Sequence, residues 1–163
     1  HLGSRKVFTS PSTLNPTDEW TQQQARNASM WADEEGIDLR FLIHDRDTKF
    51  TEAFDEHFRG HRRGPVLTPY GAPVANCFAE SWIGSLKREC LNLFFCFSLR
   101  QLDHIVQTYV LYHNRFRPHQ ALGNRPVGVM DDAEPQPPDA ELGIVERQQW
   151  LGGLLSHYYR EAA

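Results

Sequence analysis

A chain of 163 residues, 40% hydrophobic and 23% charged, is long enough to bury the core of one ordinary domain. No run approaches the ~18 consecutive apolar residues of a membrane span, and no basic-then-apolar signal segment is visible, so a membrane protein is not expected. A net charge of -4 argues against a polyanionic partner until its distribution is read.

Residues 57–125 carry nine Lys and Arg against three acids, whereas residues 131–146 carry six acids and no base. A basic middle beside an acidic stretch suits nucleic-acid binding through one face, and solvated faces without a partner are the plain alternative. Cys77, Cys90 and Cys96 form no CxxC pair and read as reduced thiols in a cytoplasmic protein, most simply as small core residues.

In chain order, Lys6–Thr9 is a short β-prone run. Asn15-Pro16-Thr17-Asp18-Glu19 reads as a helix start with Asn15 as cap and Pro16 at the first helical position. Trp20, Ala28, Trp31 and Ala32 give that helix an apolar stripe, and Gly36 stops it. Leu39–Ile43 reads as a buried strand that delivers Asp45 to its C-terminal end. Phe50, Phe54 and Phe58 mark one face of a short helix, and Pro65–Thr68 reads as a further strand.

The breaker-rich stretch Pro69–Ala75 leads to Asn76, a candidate cap for a helix whose core stripe is Phe78, Trp82, Leu86 and Cys90. Ser98 caps a further helix with Leu102, Ile105, Val106, Tyr109 and Val110 inward, ended by Arg117-Pro118. Four prolines in residues 126–138 predict an extended linker. Leu142, Val145, Trp150, Leu151, Leu154, Leu155 and Tyr158 predict a final amphipathic helix. The order predicts an α/β domain over 1–128 and a linker plus helix over 129–163.

Two carboxylates stand out: Asp45 in Ile43-His44-Asp45-Arg46-Asp47, and Glu80 in Asn76-Cys77-Phe78-Ala79-Glu80. Lys87 follows Glu80 by two helical turns and shares its face, off the core stripe. An acid at a strand end, an acid in a helix's first turn and a lysine below it suit a divalent-metal site acting on a nucleic-acid phosphate. Mg²⁺ takes one or two carboxylates plus substrate oxygens and water, and two such ions about 3.5–4 Å apart hold the attacking and leaving oxygens. Each residue alone has a plainer reading: an Asp after a strand forms turns, and a Glu in a first turn complements the helix dipole.

Taken together, His44-Asp45-Arg46-Asp47-Thr48-Lys49-Phe50-Thr51, Thr68-Pro69, Ala75–Glu80 and Tyr112-His113-Asn114-Arg115-Phe116-Arg117-Pro118-His119-Gln120-Ala121-Leu122 resemble the integrase core of insertion-sequence transposases. That family is retroviral-integrase-like, with three catalytic acids, and the resemblance covers roughly residues 5–128. It implies an RNase H-like mixed sheet flanked by helices, metal-dependent DNA strand cleavage and transfer, and Mg²⁺ or Mn²⁺ held by Asp45 and Glu80. It also implies contact with DNA through Lys87, joined by Arg88, and leaves room for a homo-oligomer.

Two departures qualify the likeness. Asp47 stands where the family often has Gly and is a reserve ligand. The family's first Asp lies on a strand upstream of the one matching Lys6–Thr9, and no match to it is present; Asp18 lies in a helix start. The fold is therefore expected to lack its first strand or strands, and the chain as given can be a remnant that only binds DNA. An RNase H-like nuclease without strand transfer is a third reading.

The spacing of His57 and His61 could serve zinc, but no CxxC pair accompanies it, and a basic surface with Arg59, Arg62 and Arg63 is the better reading. Asn114, Arg117 and His119 could contact DNA or build a turn that ends their helix. Trp20, Trp31 and Trp82 are expected in the core.

Overall fold

A computed structural model describes residues 1–60, 64–70, 76–127 and 144–160. Helix α1 (Asp18–Glu34) starts after Thr17, whose Oγ1 accepts from the Trp20 amide at 3.2 Å. The cap is thus Thr17 rather than Asn15, and Pro16 lies outside the helix. Gly36 ends it as expected, in the left-handed region at φ 64°.

The buried face of α1 is Thr21, Ala25, Ser29 and Ala32, with Trp20 and Trp31 only half-buried. Small side chains let α1 lie close against α2 (Glu52–Gly60), whose Phe54 and Phe58 meet Ala25 in one apolar cluster flanked by Leu42 and Phe50. The two hydroxyls on this face are satisfied: Thr21 donates to the Thr17 carbonyl, and Ser29 bonds His57 Nε2 at 3.0 Å. Zinc at His57 therefore has a competitor in Ser29, and His61 lies outside the described residues.

Strand β1 (Phe41–His44) pairs in parallel with β2 (Gly64–Leu67), with Phe41 opposite Gly64 and Ile43 opposite Val66. The strand expected to be buried is covered on one side only. Leu42 and His44 face α2, while Phe41 is 68% exposed. Lys6–Thr9 forms no strand; the Asn114 side chain serves its backbone instead.

Helix α3 (Cys77–Glu89) and helix α4 (Leu99–Arg115) build a second cluster from Leu86, Cys90, Ile105 and Tyr109. Asn76 makes no side-chain cap, and Phe78 is exposed, so the inward stripe of α3 begins at Trp82. Ser98 does cap α4, accepting from the Gln101 amide at 3.2 Å. Its deepest residues are Ile105, Tyr109 and His113, one per turn, with Leu102, Val106 and Val110 half-buried beside them.

Residues 144–160 overturn the expected final helix. They form an antiparallel hairpin, β3 (Val145–Trp150) and β4 (Leu155–Arg160), around a 3-10 turn at Leu151–Gly153. Leu151, Gly152 and Gly153 all take positive φ, which a helix excludes. Trp150 and Leu155 pair across the turn and plug into the second cluster. The linker expected at 126–138 falls mostly outside the described residues.

The protein is thus a mixed helix and strand fold, as an α/β class predicts. Its described strands form one parallel pair and one antiparallel pair rather than a single mixed sheet.

Candidate metal centre and nucleic-acid interface

Asp45 follows β1 directly and is exposed. Its Oδ1 accepts from the Asp47 amide at 3.2 Å, and Asp47 Oδ1 in turn accepts from the Lys49 amide at 3.1 Å, so the loop is two nested side-chain turns. Lys49 Nζ also lies 2.8 Å from Asp47 Oδ2, and that hydrogen bond first of all holds the Asp47 carboxyl below its ordinary value. Both Asp47 oxygens are therefore engaged, which makes it a poorer ligand than Asp45.

Behind Asp45 sits His44, buried between two oxygens. Its Nδ1 bonds the Asp45 carbonyl at 2.8 Å, and its Nε2 meets the buried Asp55 carboxylate of α2 at 2.9 Å. Arg59 Nη2 lies 3.6 Å from the other Asp55 oxygen. Phe50 and Phe54 pack on the imidazole at 4.9 and 5.8 Å between ring centroids. The backbone of Asp45 is therefore tied to α2 while its carboxylate faces solvent. Farther along the loop, Arg46 Nε donates to the Thr68 carbonyl at 3.2 Å and its guanidinium lies 4.0 Å over Tyr70, joining the ends of β1 and β2.

Glu80 stands exposed in the first turn of α3. Lys87 is exposed two turns later, and Arg88 beside it reaches Ser85 Oγ at 3.3 Å. Among the described residues, no hydrogen bond or ion pair engages the side chain of Glu80 or Lys87, and none joins Asp45 to Glu80. Nor does any group of three His, Cys, Asp or Glu suited to a metal ion occur among them.

The segment His113–His119 turns inward. Arg117 forks onto Glu89, its Nε and Nη2 lying 2.9 and 2.6 Å from the two carboxylate oxygens, and Tyr109 donates to the same carboxylate at 2.8 Å. Arg117, before the opposing cost of burial, holds Glu89 below the usual carboxylate range. Burial, then the Glu89 carboxylate, pushes the Tyr109 phenol upward. Phe116 stacks on Trp150 at 4.9 Å. Arg117 is thus committed to Glu89 at the ends of α3 and α4, and the Asn114 side chain to the backbone of Val7.

Sequence reasoning missed the His44–Asp55 and Glu89–Arg117 pairs. His44 does share the inward side of β1 with Leu42, a trace of the first; the second joins residues 28 apart and leaves no local pattern.

Residues 63–126 match the family model described as the integrase core domain. The chain is also 32% identical over 83 residues to an uncharacterized 39.2 kDa protein of insertion element IS476 from Xanthomonas euvesicatoria. That match spans 50% of this chain and 24% of the relative, so the matched half of the chain corresponds to about a quarter of the relative's length. Both comparisons support an integrase or transposase core domain, as the resemblance implied. No helix among the described residues is long and apolar enough to cross a membrane.

Proposed function

We propose that this chain is part of the catalytic core of a DNA transposase or integrase that cleaves and joins DNA strands with Mg²⁺ or Mn²⁺. The integrase-core match over residues 63–126, which contains Glu80, Lys87 and Arg88, carries this reading. Asp45 and Glu80 fit a hard cation as donors: both are exposed, and neither is engaged in an ion pair among the described residues. When bound, such an ion lowers the charge barrier at the phosphate and orients the attacking hydroxyl or water. Asp45 would hold it from a loop tied down by His44, and Glu80 would reach it from the first turn of α3. Lys87 and Arg88 would grip the DNA backbone beside it.

A site of this family uses three acids, and this reading assigns two of them, Asp45 and Glu80. A chain that binds DNA without joining it is the second reading. A nuclease that cuts without joining is the third.

Mn²⁺ titration followed by paramagnetic line broadening tests the metal site. Broadening should centre on Asp45 and Glu80 and fall with either Asp45→Asn or Glu80→Gln. Broadening elsewhere, or unaltered by both substitutions, would defeat the assignment. A strand-transfer assay then separates joined products from cleavage alone and from binding alone.

A further inference from the structure

Three buried nitrogens have no hydrogen-bond partner among the described residues: Trp82 Nε1, His113 Nδ1 and His119 Nε2. They sit on one run of touching rings. Trp82 of α3 meets His113 at the end of α4 edge-on, 6.2 Å between centroids, and His113 meets His119 edge-on at 4.8 Å. A buried polar atom without a partner costs about 1–3 kcal/mol, so three in one place call for an explanation.

The far nitrogen of His113 fixes what its near one offers. His113 Nε2 faces the Arg5 carbonyl at 3.3 Å; a carbonyl only accepts, so that nitrogen carries the proton and Nδ1 is a bare lone pair. His119 Nε2 is buried and without a partner as well. Burial lowers both imidazoles, His113 to about 4, and keeps the rings neutral at pH 7. Trp82 Nε1 is a donor only. The cluster therefore holds a bare acceptor at His113 Nδ1, a donor at the indole and a third unpaired nitrogen at His119, none of which bonds another.

We propose that Trp82, His113 and His119 enclose one buried water molecule, which donates a hydrogen to His113 Nδ1, accepts the indole N–H and bonds His119 Nε2 with its remaining capacity. Three bonds are the usual complement of a buried water. A transition-metal ion is the competing guest, because His113 gives its far proton to a carbonyl in the manner of a ligating histidine. The indole decides against it: an N–H points its positive end at the guest and would stay unpaired beside a cation. No third His, Cys, Asp or Glu joins the pair among the described residues, and a zinc site needs three or four protein ligands. The water would fasten the helix that carries Glu80 to the end of α4, whether or not the catalytic reading holds.

A crystal structure that resolves waters, with ¹⁵N NMR of the histidine and indole rings, tests this. One solvent peak within hydrogen-bond reach of all three nitrogens is expected. His113 should be protonated at Nε2, with the indole proton slow to exchange. Trp82→Phe keeps a ring, removes the donor, and should lower Tm by about 2–4 °C. Anomalous scattering from a metal, a direct bond between the two imidazoles, or a dry cluster would overturn the proposal. The wild-type chain alone is enough to decide among these outcomes if the variant fails to fold.

Discussion

Asn114 and Val7 exchange two hydrogen bonds across 107 positions of sequence: Val7 N donates to Asn114 Oδ1 at 2.9 Å, and Asn114 Nδ2 donates to the Val7 carbonyl at 2.8 Å. A side-chain amide here does what a neighbouring strand does in a sheet, pairing both polar groups of one residue. Asn114→Leu should cost about 2–3 kcal/mol, because both Val7 groups lose their partner. Asn114→Asp keeps the acceptor and should cost less. Urea unfolding measures both, and equal, negligible losses would show that Val7 is paired some other way.

The His44–Asp55 pair should be costly to break and cheap to replace. Both residues are buried, so Asp55→Leu alone leaves His44 facing carbon and should cost about 3 kcal/mol. His44→Phe with Asp55→Leu should recover most of that loss. A double variant no better than the single ones, measured by the same unfolding curves, would contradict the pairing.

Acid should loosen the fold in two windows. His113 is lowered by burial from 6.5 to about 4, so the unfolded chain takes up that proton first, and stability should fall as pH drops from 6.5 towards 4 and then level. Glu89 is depressed below 4.5 by Arg117; its contribution is complete above 4.5 and is lost as pH falls through the lower folded value. His113→Gln should flatten the first window and Glu89→Gln the second. Urea midpoints between about pH 8 and pH 2 give the comparison; a pH profile unchanged by both substitutions would refute the assignment.

Lys87→Ala should weaken DNA binding on every sequence alike and reduce the slope of log K against log salt by about 1, as loss of one phosphate contact requires. Arg117→Ala should act on stability instead, since its guanidinium is committed to Glu89. Fluorescence anisotropy at several salt concentrations separates the two effects.

Local chemistry carried the legible part of this fold. Phe50, Phe54 and Phe58 wrote α2, Ser98 wrote the start of α4, and Gly36 wrote the end of α1, because periodicity and capping act within a few residues. The hairpin escapes a periodicity argument because Leu, Trp and Tyr fit a helical stripe as readily as alternate strand positions. The Gly152-Gly153 pair between them is the signal that points to a turn. Asp45 and Glu80 are readable as local motifs at the end of β1 and the start of α3. Their supports are not: Asp55, which holds His44 behind Asp45, comes from α2, and Arg117 reaches Glu89 from beyond α4. Long-range pairing obeys no short spacing.

The bare side of the β1–β2 ribbon has a practical consequence. Phe41, Ile43 and Val66 share that face and are 68%, 43% and 42% exposed. Two short strands offer water an adhesive strip that no charge interrupts. The strip sets a solubility ceiling: dilute samples should sediment as single chains, and concentrated ones should associate reversibly. Phe41→Lys should raise that ceiling while leaving the His44 and Asp45 contacts intact. How much protein can be brought to any of these measurements is thus governed by an aromatic ring four residues before the candidate metal ligand.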